Sequence, residues 1–174
     1  LILIFGATSC ENWLDVNTNP DKPNNESASV EIRLPWIQHY YMYAYGSASV
    51  RTTAAAQILT NVAKNNHISR MATWDPWQDM NITPYQQWFV GAANNIPDIL
   101  KKAQETGAYH YEAAGLVLKS MGYMMMADLF GEIPYTNAIG PDFSPSFDTG
   151  DVVYEGCMAD IDRAIELFSQ PQEP

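Results

Sequence analysis

The stretch EAAGLVLKSMGYMMMADLF, Glu112 to Phe130, decides the fold class. Ala114, Val117, Leu118, Met121, Met124, Met125 and Leu129 recur at helical spacing and leave little polar face, so the pattern predicts a helix buried nearly all round. Lys119 is its expected solvent-facing residue. Gly115 and Gly122 stand seven apart on roughly one face. Each costs about 1 kcal/mol in a helix interior relative to alanine. The pair therefore predicts that a neighbouring helix approaches closely there.

Downstream, Gly131 is the expected C-cap, and Asp128 is expected to bond the backbone of the turn. In the GEIPY segment, Gly131 to Tyr135, glycine supplies a positive φ and Pro134 fixes the exit direction. After a Pro-rich loop, Asp151 is expected to cap a helix reaching about Phe168. Val153, Cys157, Ile161, Ile165 and Phe168 form its predicted buried stripe, and Glu155, Asp160, Asp162, Arg163 and Glu166 its wet face.

Upstream, a helix is predicted from about Pro84 to Gln104, split by Pro97 with Asn94 or Asn95 as cap of its second half. Residues 64–83 show no clear period and read as a long loop. A helix from about Val50 to Ala63 carries Ala54, Ile58, Leu59 and Val62 at helical spacing. An earlier helix starts near Leu34 with Pro35 in its first turn and breaks near Gly46. No strand-like alternation exceeds a few residues. The expected class is all-α, antiparallel helix pairs with tetratricopeptide-like proportions and long loops.

The formal charge of -11, with only nine Lys and Arg, excludes a nucleic-acid binder, because phosphates must be neutralised by basic side chains. It also opposes electrostatic docking on anionic lipid. His39, His67 and His110 lack metal-ligand spacing, and Asp142, Asp148 and Asp151 lack the alternating oxygens of a calcium loop, so no metal or other cofactor is expected. No phosphate loop or nucleophile elbow occurs, and no catalytic residue is assigned. Cys157 falls on the buried stripe and reads as inert core.

LILIFGATS, Leu1 to Ser9, runs into Cys10. An apolar run, small residues and then cysteine is the pattern of a bacterial lipoprotein signal. The run is too short to span a bilayer, which needs about 20 residues. Residues 1–9 thus read as the remnant of a signal peptide and Cys10 as the lipid anchor. The competing reading is a buried strand followed by an ordinary cysteine. Residues 10–29, rich in Asn and Pro, read as an extended tether, and residues 30–174 as one helical domain.

WDPWQDM, Trp74 to Met80, is the best candidate ligand surface. Pyranose rings stack on flat aromatic faces and their hydroxyls bond to carboxylates. Trp74, Asp75, Trp77 and Asp79 on a loop offer both. Alternatively the two indoles plug the loop onto the core, the commoner fate of large aromatics. Trp36 and Trp88, in helices, are expected in the core.

Four segments carry a resemblance. They are Cys10 with ENWLDVNTNPDKP behind it; the aromatic-rich stretch ending in Trp88 with Asn94-Asn95-Ile96; ADLFGEIPYTNAI, Ala127 to Ile139; and FDTGDVVYEGCMADIDRAIELF, Phe147 to Phe168. Together they resemble the N-terminal part of SusD/RagB-type proteins, nutrient-binding outer-membrane lipoproteins of Bacteroidetes, in the SusD-like, starch-binding-associated branch. The resemblance implies an all-α tetratricopeptide-like scaffold and a larger whole protein. It implies a cell-surface lipoprotein, not an enzyme, that captures oligosaccharides or other nutrients and delivers them to a SusC-type TonB-dependent transporter. Two alternatives stand beside it: a lipid-anchored tetratricopeptide-like scaffold that binds only protein, and an extracytoplasmic enzyme whose catalytic part lies elsewhere.

Overall fold

The computed structural model describes residues 28–59, 66–76, 82–140 and 144–171. The elements are α1 (Val30–Ala55), α2 (His67–Ala72), α3 (Ile82–Gln86), α4 (Ile96–Thr106), α5 (Tyr109–Phe130) and α6 (Gly150–Phe168). A π-turn, Gln87–Ala92, and a 3-10 turn, Ala93–Asn95, join α3 to α4. Among the described residues there is no strand, only an isolated antiparallel bridge between Ile133 and Asp148. The all-α expectation holds.

Buried side chains on α1 recur at Ile37, Tyr41, Ala44 and Ala48, a 4-3-4 spacing that keeps one side of the helix on the core. That packing carries the helix straight through Gly46, where the sequence suggested a break. The helix also starts earlier than expected, at Val30, so Pro35 lies inside it. Its first turn is pinned from outside. Arg33, almost fully buried, donates from Nε to the Ala28 carbonyl at 3.3 Å and pairs through Nη1 with Asp98 at 3.2 Å. Lys102 Nζ donates to the same carbonyl at 3.0 Å.

The far end corrects the expected helix over 50–63. The α-helix stops at Ala55, Gln57 turns left-handed at φ 59°, and Ile58 and Leu59 are exposed. The N–H groups of Ile58 and Leu59 both donate to the Thr53 carbonyl, closing a turn. The supposed loop over 64–83 contains α2, whose Asn66 and Ser69 cap each other reciprocally.

Trp88 sits at the centre of the core, edge-on to Tyr123 (centroids 5.2 Å) and to Tyr41 (6.4 Å). Gly122 is what admits it, since a Cβ there would overlap the indole. At Gly115 a Cβ would lie 3.0 Å from Leu100 of α4. Both glycines mark close approaches, one by a ring and one by a helix. Trp36 is the exception among the helical tryptophans, half exposed on α1. Asn95 occupies the cap position of α4, but its Nδ2 donates back to the Gly91 carbonyl at 2.9 Å instead of capping. The 3-10 turn ahead of it already runs into α4, so no free helix end is there to cap.

Helices α4 and α5 are antiparallel: Gln104 Nε2 donates to buried Glu112 at 3.0 Å, and Leu100 faces Gly115. Helices α5 and α6 are antiparallel too, registered by Ser120 on Cys157, Lys119 on Asp160, and Ala113 and Leu116 beside Ala164 and Leu167. The Ser120 hydroxyl lies 3.0 Å from both the Leu116 and the Cys157 carbonyl oxygens, tying the two helices with one buried group.

The buried stripe of α6 needs correcting. Val153, Cys157, Ala164 and Leu167 are buried, whereas Ile165 and Phe168 are exposed and Ile161 is half-buried. Asp160 is not on the wet face. It is largely covered and pairs with Lys119 at 2.7 Å, so Lys119 is not a solvent-facing residue either. The cap position of α6 is Thr149, not Asp151. The Thr149 hydroxyl bonds the Asp151 carboxylate in the first turn.

Candidate functional site

Of the four loop residues proposed from sequence, Trp74 and Asp75 are described, while Trp77 and Asp79 lie outside the described residues, as does Cys10. Trp74 follows the end of α2 with φ +56°, a left-handed conformation that costs an L-residue about 1–2 kcal/mol. Its ring is 75 % exposed, so nothing in the core repays that cost. The turn is held by its neighbours. Arg70 Nη2 pairs with Asp75 Oδ2 at 2.6 Å and Arg70 Nε donates to the Asp75 carbonyl at 2.9 Å. The Asp75 N–H returns to the Arg70 carbonyl at 3.0 Å. Gln57 Nε2, 3.3 Å from the Ala72 carbonyl, ties the end of α2 to the end of α1. A flat indole is thus presented to solvent on a turn closed at both ends. Asp75 is committed to Arg70, so the indole face is the main recognition surface that this turn offers.

Sequence reasoning did not single out a second concavity. A cleft of about 430 Å³ opens between α1 and α5, lined by Tyr41, Tyr45, Met121, Met124, Met125 and Asp128 among others. The Tyr41 and Tyr45 rings lie nearly parallel, 6.2 Å apart. Burial raises the Tyr41 phenol above its ordinary pKa, so it stays a neutral hydroxyl. The spacing of tyrosines four apart on α1 was visible, but the methionines opposite were assigned to the core.

Asp128 does not bond the backbone of the turn after α5, as expected. It accepts a hydrogen bond from Tyr154 Oη at 2.6 Å, and that bond raises the tyrosine pKa. The turn's partner is Asp148, whose Oδ2 accepts from the N–H groups of Tyr135 (3.0 Å) and Thr136 (2.8 Å). These bonds, chiefly that from Thr136, hold the Asp148 carboxyl below the usual aspartate range. The GEIPY turn is therefore structural, and Asp148 is spent on it. Gly131 takes φ +78° as the helix stop.

Cys157 is fully buried, and burial raises its thiol pKa, the opposite of an activated nucleophile. Among the described residues no group of three or more His, Cys, Asp or Glu side chains is placed to hold a metal ion. No helix among them is long and apolar enough to cross a membrane.

No curated protein matches the chain. Residues 25–174 match the SusD-like_2 family, described as starch-binding associating with outer membrane. That match covers the long helix α5, the GEIPY turn held by Asp148, and α6, and so the chain belongs to the SusD-like family.

Proposed function

We propose that this protein is a cell-surface lipoprotein, held to the outer membrane by acyl chains on Cys10. It captures oligosaccharides and passes them, chemically unchanged, to a SusC-type TonB-dependent transporter. Family membership supports glycan capture at the outer membrane. The observation that carries the reading at residue level is Trp74, exposed on a fixed left-handed turn. The closed turn fixes the backbone that carries the ring, so the indole face is directed to solvent and open to stacking on a sugar. Trp77 and Asp79 complete the proposed loop surface.

The test is calorimetric binding of maltoheptaose to the native chain and to Trp74→Ala, with melting temperatures beside it. The expected result is at least tenfold weaker binding at an unchanged melting temperature. Equal affinity would remove Trp74 from the site. For the anchor, Cys10→Ser should abolish labelling by a palmitate analogue in the bacterial host, and equal labelling would refute the lipoprotein reading.

A further inference from the structure

The cleft between α1 and α5 shares no described lining residue with the Trp74 turn. Its volume, about 430 Å³, falls within the range of small-molecule sites, about 300–1,000 Å³. One wall carries the Tyr41 and Tyr45 rings, the other the Met121, Met124 and Met125 side chains. Thioether sulfurs and tyrosine rings both pack favourably on an aromatic ring. Tyr41 is only 8 % exposed, and its hydroxyl bonds to no described residue. The oxygen is not sealed in the core either, so it opens on the cleft that its ring lines. A nearly buried hydroxyl without a protein partner, facing a cavity, is a hydrogen-bonding group left for a ligand.

Charge is concentrated at one end. Asp128 lines this cleft and also a second concavity, in which Glu132 and Asp151 join it. No described Lys or Arg lines either one. Asp128 Oδ1 accepts from Tyr154, which leaves Oδ2 for a ligand. The Thr149 hydroxyl holds the Asp151 carboxyl below its ordinary pKa, so that charge persists. An anion would be repelled from that end, and a neutral sugar would meet methionines where its hydroxyls need partners.

We propose that the cleft binds a small organic cation, a primary amine carried on an aromatic body. The body lies between the tyrosine rings and the methionines, and the ammonium donates to Asp128 Oδ2. The Tyr41 hydroxyl supplies a second polar contact.

The probes are 2-phenylethylamine and its isosteres 2-phenylethanol and phenylacetate, which share the ring and differ in charge. Glucosamine serves as an amine on a polar body. Each is titrated into the full-length protein labelled in its methionine methyl groups, and binding is read by NMR at Met121, Met124 and Met125. The amine should shift those signals and bind at least tenfold more tightly than the alcohol, and salt should narrow the difference. Phenylacetate and glucosamine should leave the signals in place. Asp128→Asn should erase the preference for amine over alcohol. Tyr41→Phe should weaken amine binding about threefold. Both variants should keep the native melting temperature, and Trp74→Ala should leave amine binding unchanged. Equal affinity for amine and alcohol would overturn the proposal. So would signals that stay fixed throughout, the result if another segment of the protein fills the cleft. Shifts on adding maltoheptaose, reversed by the amine, would make the cleft part of the glycan site and overturn it too.

Discussion

The indole of Trp88 occupies the space that a side chain at position 122 would need: a Cβ there would overlap Cη2 and Cζ3 of the ring. Both residues are buried, and the ring is locked edge-on by Tyr41 and Tyr123, so it has nowhere to retreat. Gly122→Ala should therefore destabilise the fold by about 1–3 kcal/mol through overpacking. At Gly46, inside α1, a Cβ meets nothing within 4 Å, and Gly46→Ala should stabilise by about 0.5–1 kcal/mol. Urea denaturation of the two variants should show shifts of opposite sign. Shifts of equal sign would contradict the close approach.

Lys119 and Asp160 lock the α5–α6 interface. Their side chains are 27 % and 19 % exposed, and the lysine also lies over the Tyr135 ring at 5.4 Å. Lys119→Leu should cost about 1–3 kcal/mol, less than a fully buried pair, because Asp160 keeps some access to water. Adding Asp160→Leu should recover part of the loss. A double-mutant cycle measures the coupling, and additive effects would show that the pair is not a unit.

The Asp148 carboxyl is held below its ordinary pKa by the Thr136 and Tyr135 N–H groups. A lowered folded pKa stabilises at pH values above the unfolded aspartate value, near 4. That stabilisation is lost as pH falls through the folded value. Melting temperatures of the native chain should therefore fall more steeply between pH 5 and pH 2 than those of Asp148→Asn. Parallel curves would mean that the carboxylate does not hold the turn.

Trp74→Gly bears on the same loop from the side of stability. Glycine relieves about 1–2 kcal/mol of left-handed strain and loses about 0.5–1 kcal/mol in chain entropy. The variant should match or slightly exceed the native chain in stability. A loss of about 3–5 kcal/mol, the usual cost of deleting a packed tryptophan, would show instead that the ring is a core plug.

What could be read from the residues divides along physical lines. Helix α5 was legible as a helix from its apolar run, and Gly115 and Gly122 announced their contacts by their cost. It is not buried all round, however: Ala113, Leu116, Tyr123 and Met126 are buried, whereas Met121 is exposed and Ala114, Val117, Leu118, Met124, Met125 and Leu129 are half-buried. The continuity of α1 was not legible, because Gly46 weakens the helix locally while Ile37, Tyr41, Ala44 and Ala48 sustain it by tertiary packing. On α6 the row Tyr154, Met158, Ile161, Ile165 and Phe168 has the same period as the row that packs on α5, and the latter contains Asp160 and Ala164, the less apolar choice. Only Lys119, 41 positions earlier in the chain, makes Asp160 acceptable there. Of the candidate site, the residue types of the Trp74 loop were legible, but the presentation of the ring was not. It depends on Arg70 reaching forward to Asp75 and on a left-handed residue that no local pattern marks.

Ala28 has a mechanical meaning. Its carbonyl is gripped by Arg33 from α1 and Lys102 from α4, so a pull transmitted along the preceding chain is shared between two helices. Load in that geometry shears several charged hydrogen bonds at once instead of peeling α1 open one turn at a time. Under the N-terminal anchoring proposed above, load would enter the structure where it is already cross-braced, by Asp98 against Arg33.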